Sequence, residues 1–214
     1  MIEKNLNGFE VIFLLNLIPA LRVKDVTLFD LLDQEFHYGE FAFFPRLAAH
    51  LGKIAGISAS DAQDVGILSV LFYLSSKVHN DIMEQPGTQA QLQGALQMPV
   101  LLGDYLYSWF LLNMVECDKI CCVPVYLSYL EQFNQQKIDT LLLQDEEDSA
   151  QSGAQLMAQK TAEAITVVAQ GDARMQDTLE TAADNFYQEQ WSLLYGEKIN
   201  SLEALEARIQ AAIV

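Results

Sequence analysis

Between Asp61 and Ile82, apolar side chains recur every three and four residues at Val65, Leu68, Leu71, Phe72, Val78 and Ile82, while Ile67 and Leu74 fill the other faces. That spacing is helical, and a helix apolar on most of its sides has to be surrounded by other elements. "SASDAQD" supplies a start, with Ser58 or Ser60 as N-cap and Asp61 or Gln63 three residues on. Pro86-Gly87 in "EQPGTQAQ" supplies the stop. A central helix of this kind constrains the rest of the chain to wrap around it.

The surrounding segments read as helices too. One runs from about Met98 to Glu116, and another follows Pro124 through "VYLSYLEQFNQQKIDTLLL". The acidic "QDEEDSAQSG" reads as a solvated turn, after which "AQLMAQKTAEAITVVAQ" resumes helix. "INSLEALEARIQAAIV" forms a last amphipathic helix, capped by Asn200 or Ser201 with Glu203 in its first turn. No stretch shows sustained period-two alternation, and the prolines fall where helices would end or bend. The expectation is one all-α domain over residues 1–214, with about eight or more helices, too many for a simple four-helix bundle.

Composition narrows the function classes. The chain is 51% hydrophobic and only 19% charged, with a mean hydropathy of +0.13, which points to an interface with another chain. Its 29 acidic and 12 basic residues give a formal charge of -17. That balance argues against nucleic acid and against anionic membranes, both of which need Lys and Arg. Cys117, Cys121 and Cys122 crowd into "CDKICC", an odd count that fits a reduced, cytoplasmic setting. Glu3 and Glu10 spoil the basic region that a secretory leader needs before the apolar run Val11 to Leu21. The run Val100 to Val115 contains Asp104 and falls short of the ~20 residues of a spanning helix.

Several site chemistries are missing from the sequence. There is no GxGxxG, P-loop, GxSxG, HExxH or CxxC pair. His37, His50 and His79 are far apart and read as packing or surface histidines. Cys117 and Cys121, four apart on one helix face, are half a metal site at most; the alternative is small hydrophobes in a core or interface.

Three fragments carry a resemblance. "LFYLSSKVHNDIMEQ" is similar to the helix bearing His-Asp-Asp-x-x-Asp in the trans-prenyl diphosphate synthase (isoprenoid synthase) family. "MPVLLGDYLYSWF" resembles that family's Gly-Asp-Tyr segment, and "LMAQKTAEAI" its Lys-Thr-Ala segment. They occur in the family's order over about 100 residues. The resemblance implies an all-α bundle around a deep central cavity, usually dimeric, here truncated at the C-terminus because this chain is shorter than the catalytic members and ends soon after the second-motif region. In that family two aspartate-rich motifs hold Mg²⁺ ions that clamp an allylic diphosphate, with Lys and Arg holding the substrates.

Measured against that pattern, this chain departs where the chemistry lies. The first motif corresponds to Asn80, Asp81 and Glu84, with an amide in place of its leading aspartate. Asp81 and Glu84 are left as a weak Mg²⁺ pair. No two carboxylates are adjacent from Ser149 to Val214, and "NFYQEQWSLLYG" stands where the second motif belongs. "DEED" precedes the Lys-Thr-Ala segment and does not replace it. The Gly-Gly-Lys-x-x-Arg-Pro segment corresponds to "YGEFAFFPR", in which Pro45 matches but Glu40, Phe41 and Phe44 replace Gly, Lys and Arg. The Arg pair after the first motif has no counterpart, which leaves Lys160 as diphosphate contact.

The resemblance therefore implies a non-catalytic small subunit of a heterodimeric or heterotetrameric long-chain polyprenyl diphosphate synthase. It would need no cofactor of its own, Mg²⁺ belonging to the catalytic partner, and would support that partner's activity and product length, with the quinone side chain as the implied pathway. The family's dimer helices correspond to Met98 to Glu116 and Cys117 to Leu143, with Tyr105, Tyr107, Trp109, Phe110, Tyr126 and Tyr129 as interface aromatics or as core. Ser75 and Ser76 fit a long open tunnel, or serines that face solvent or back-bond within a helix. Three alternatives stay open: a homodimeric binder of a prenyl lipid, a weakly active prenyltransferase with one Mg²⁺ on Asp81 and Glu84, and a helical domain without this ancestry.

Overall fold

The computed structural model describes residues 17–23, 26–31, 36–80, 89–143, 149–196 and 198–210. A 3-10 turn, Ile18–Leu21, leads into a small antiparallel pair, β1 (Arg22–Val23) with β2 (Val26–Thr27), and a one-turn helix α1 (Leu28–Leu31). The long helices follow: α2 (Tyr38–Ala55), α3 (Ala59–Asn80), α4 (Gln89–Glu116), α5 (Val123–Leu143), α6 (Ser149–Val168), α7 (Ala173–Tyr195) and the shorter α8 (Leu202–Gln210). Strand β3 (Phe36–His37) pairs antiparallel with β4 (Lys198–Ile199), Phe36 opposite Ile199, clasping the two ends of the helical array.

The expected central helix is α3, which packs against α2, α4 and α6. Helix α7 covers α2 and α6, and α5 lies on α6. One cluster of buried residues runs from Leu17 to Leu205. The all-α class holds.

Local chemistry explains the boundaries. The His37 N–H donates to Glu40 Oε2 at 2.8 Å to start α2, and Gly56, at φ 73°, ends it in the left-handed region. Ser58, not Ser60, caps α3: its Oγ accepts the Asp61 N–H at 3.0 Å and donates to Asp61 Oδ2 at 2.6 Å. The α2–α3 corner is tight because Gly52 has no side chain; a Cβ there would sit 2.7 Å from Ala62 Cβ. Asp172 caps α7 through the Met175 N–H, and Ser201, not Asn200, caps α8 through the Ala204 N–H.

Several expectations are corrected. Pro45 lies inside α2 and Pro99 inside α4, which starts at Gln89 rather than near Met98. The acidic turn is already helical from Ser149. Pro86-Gly87 lies outside the described residues.

Two aromatic clusters fill the interior. Between α2, α3 and α7, Phe43 meets Tyr187 and Trp191, and Phe44 meets Tyr73. Between α3, α4 and α5, the Phe72 ring lies 4.6 Å from Phe110, 5.2 Å from Tyr126, 5.7 Å from Tyr129 and 6.0 Å from Tyr107, measured between centroids.

Candidate functional site

Of the residues singled out by sequence, Asn80 and His79 lie at the C-terminal end of α3. Asn80 is its last described residue, and Asp81 and Glu84 lie outside the described residues. The residue before Asn80, His79, reaches across to α4, its Nε2 3.4 Å from Asp104 Oδ1. The ring rests over Gly103, where a Cβ would come within 2.5 Å of Nε2. The first two similar fragments thus meet through His79, Gly103 and Asp104. Of these, His79 reads in the sequence as a packing or surface histidine.

The third fragment is elsewhere on α3. The Thr161 hydroxyl lies 3.0 Å from Ser69 Oγ and 2.8 Å from the Met157 carbonyl oxygen, and Ser69 Oγ is 3.2 Å from the Tyr126 hydroxyl. Ser69 precedes Asn80 by about three helical turns, or ~16 Å of rise. Lys160, the expected diphosphate contact, donates to Glu163 Oε2 at 2.9 Å. The structure therefore ties Lys160 to its own helix and does not bring it to the α3 end.

A different cation does lie near that end. Lys77 Nζ donates to Glu40 Oε1 at 2.6 Å and sits 5.0 Å from the Phe36 ring centroid. The Glu40 side chain is wholly buried and that of Lys77 is 13% exposed. Glu40 thus accepts from the His37 N–H with one oxygen and from Lys77 with the other, and the Tyr73 hydroxyl makes a long 3.5 Å contact. Burial first, then the Glu40 charge, pushes the Tyr73 hydroxyl well above its usual titration range. The position where the resemblance expects Gly is here the anionic half of an internal ion pair.

Ser75 and Ser76 are buried, and Ser76 Oγ donates back to the Phe72 carbonyl at 2.9 Å. The space beside them, where the resemblance implies a tunnel, holds the Phe72 cluster of rings. A groove of about 390 Å³ opens instead at the other end of α3, lined by Ala49, Gly52, Lys53, Ile57, Ser58 and neighbouring alanines.

The cysteine segment is corrected as well. Helix α4 stops at Glu116, and Cys117 to Lys119 form a turn with Asp118 at φ 56°, so Cys117 and Cys121 do not share a helix face. Cys122 Sγ lies 3.8 Å from the Ala164 carbonyl oxygen. Burial, then the nearby Asp64, pushes the Cys117 thiol up to about 11; burial, then Cys121, pushes Cys122 up to about 12. Both stay protonated at neutral pH. Among the described residues no group of three or more His, Cys, Asp and Glu is arranged to hold a metal ion.

That turn carries a partly buried cluster which sequence reading missed, Lys119 lying about 60 residues from its acidic partners. Lys119 Nζ donates to Asp61 Oδ1 at 2.8 Å and to the Cys117 carbonyl at 3.1 Å, with Asp64 Oδ2 at 3.6 Å. The Lys119 bond and then the Ser58 bond hold the Asp61 carboxyl below its usual range.

Of the expected interface aromatics, Phe110, Tyr126 and Tyr129 are buried in the chain's own core. Tyr105, Tyr107 and Trp109 are half-buried, and the Tyr105 hydroxyl donates to the Arg22 carbonyl at 3.0 Å. The exposed apolar side chains of the same region are others: Leu101 (62% exposed), Leu111, Leu112 and Val115 (63%) on α4, Ile120 (56%) in the turn, and Leu127 (50%) on α5. Among the described residues no helix is long and apolar enough to cross a membrane. Comparison of the chain with models of known protein families, with curated proteins and with solved structures gave no match.

Proposed function

We propose that the chain is a non-catalytic subunit of a heteromeric long-chain polyprenyl diphosphate synthase. It acts in the cytoplasm, supporting a catalytic partner's activity and product length in isoprenoid biosynthesis. The observation that carries this reading is the line of exposed Leu and Val on α4 and α5. Burying one such side chain contributes about 1.5–3 kcal/mol, and leaving six in water on adjacent elements marks a surface used in association. The inner faces of these helices are already filled by Phe110, Tyr126 and Tyr129, so the outer faces are free for a second chain.

The lipid-binder alternative needs an open cavity, and the Phe72 rings occupy the space between α3, α4 and α5. The weakly active alternative rests on Asp81 and Glu84, while the nearby Lys77 is engaged by Glu40. The subunit reading needs neither feature.

The test is co-expression with a prenyl diphosphate synthase chain that carries both aspartate-rich motifs. Prenyl transfer from isopentenyl diphosphate to an allylic diphosphate is measured with Mg²⁺ for each chain and for the pair. The expected result is turnover by the pair, none by this chain, and a longer product or higher rate than the partner gives alone. Turnover by this chain alone, or a partner indifferent to it, would overturn the reading.

A further inference from the structure

On α4 the exposed Leu101, Leu111, Leu112 and Val115 share one helical face with Asp104, with Glu116 at its edge. On α5 Leu127 shares its face with Glu131. These acids decide what can cover the leucines. Asp104, Glu116, Asp118, Glu131 and Asp139 are exposed between residues 98 and 139. The two lysines in that stretch are placed otherwise: Lys119 is buried beneath Asp61 and Asp64, and Lys137 lies over the Phe133 ring at 5.9 Å. The exposed faces of these two helices therefore carry apolar side chains interspersed with acids.

We infer that this face receives a different protein chain, one whose docking helices carry lysine and arginine around an apolar seam. A second copy would meet it across a two-fold axis, which sets the same acids against each other on both sides. With a formal charge of -17 per chain, the long-range field opposes that pairing as well. An anionic membrane is repelled on the same ground. A basic border on the partner instead gives complementary potential, which favours encounter and rejects wrong partners. This inference rests on the subunit reading for the existence of a partner and adds that partner's surface chemistry; it does not depend on the partner's activity.

The test uses the full chain in its native host with a photo-reactive phenylalanine at Leu112. A zero-length carbodiimide then joins carboxylates to amines in salt-bridge contact in the purified adduct. The expected adduct contains a different chain, with Glu116, Glu131 or Asp139 linked to its lysines. Reversing Glu116, Glu131 and Asp139 to lysine should lower the adduct about tenfold or more, and the loss should shrink as salt rises. If that variant melts early, Glu116→Gln with Glu131→Gln and Asp139→Asn gives the same loss at smaller size.

An adduct of two copies of this chain overturns the inference. So does a different chain without carboxylate–lysine links and unaffected by the reversal. So does the absence of any protein adduct, with or without flotation on phosphatidylcholine vesicles. The two readings fail separately. A basic-bordered partner lacking aspartate-rich motifs sinks the synthase reading and keeps this one. A motif-bearing partner joined without lysine links does the reverse.

Discussion

Lys77→Met isolates the energetic role of the ion pair at the α2–α3 end. The Glu40 carboxylate is wholly buried and Lys77 is its charged partner at 2.6 Å, so removing the ammonium strands a charge in a medium that solvates it poorly. Breaking such a pair from one side costs about 3–5 kcal/mol, and neither group is exposed enough for water to make up the loss. For a chain of this size that corresponds to a melting point lowered by about 10 °C. The companion change decides the mechanism. In Glu40→Gln/Lys77→Met the charge is gone, yet the amide oxygen can still accept the His37 N–H that starts α2. The double variant should therefore recover at least about 2 kcal/mol over Lys77→Met alone. Urea unfolding followed by far-ultraviolet circular dichroism reads both, provided the slope with denaturant is unchanged. A Lys77→Met variant within about 1 kcal/mol of the parent would refute the argument. So would a double variant no more stable than the single one.

The Lys119 cluster gives a pH signature. The Asp61 carboxyl is held below its usual 3.8, so its contribution is fully present above that value and is lost as pH falls through the lower folded value. Burial works against the Lys119 charge, but Asp61 and Asp64 more than offset it and its titration is raised above 10.5. That contribution is present below 10.5 and is lost as pH rises through the higher folded value. The stability gap between parent and Lys119→Met should hence be level from about pH 5 to 9 and narrow at both extremes; an equal gap at pH 3, 7 and 11 by urea midpoint would contradict this. Phe72→Ala empties the centre of the ring cluster between α3, α4 and α5 and should cost about 3–5 kcal/mol, read by thermal melting. A loss below about 1 kcal/mol would mean that the interior there is loosely filled.

What the sequence made legible was whatever depends on near neighbours. Helix α3 could be read because Ser58 and Asp61 form its cap within four residues and its apolar spacing is self-contained. The proline positions misled for a non-local reason. Pro45 removes a helical hydrogen bond, a cost of about 3 kcal/mol, and the burial of Phe41, Phe43, Phe44 and Leu47 around it offsets that cost. Those contacts come from α3 and α7 and leave no mark beside the proline. The β3–β4 clasp was invisible because two-residue strands cannot show alternation and their partners are about 160 residues apart. At the candidate site, the spacing of Asn80, Asp81 and Glu84 could be read along the chain, but the Glu40–Lys77 pair and the His79–Asp104 contact join separate helices. No spacing rule predicts such contacts.

Of the aromatics read as interface or core, Phe110, Tyr126 and Tyr129 are core, and the reason is instructive. Helix α4 is apolar on both sides, so periodicity alone cannot say whether Phe110 or its neighbours Leu111 and Leu112 face inward. The structure turns Leu102, Leu106, Phe110 and Met114 inward and leaves Leu101, Leu111, Leu112 and Val115 outside. A side chain already in water in the isolated chain contributes little to its folding, so Leu112→Ser with Val115→Ser should change stability by no more than about 0.5 kcal/mol. The same pair of changes removes two large apolar contacts from any chain that docks there, about 1.5–3 kcal/mol each when fully buried. Folding and docking are thus separable on one helix, its inner face serving the first and its outer face the second. Unfolding midpoints and partner co-purification measured on the same variant test that separation. A variant that loses several kcal/mol on its own would show that the outer leucines belong to the fold. A variant that keeps both its stability and its partner would place the docking surface elsewhere.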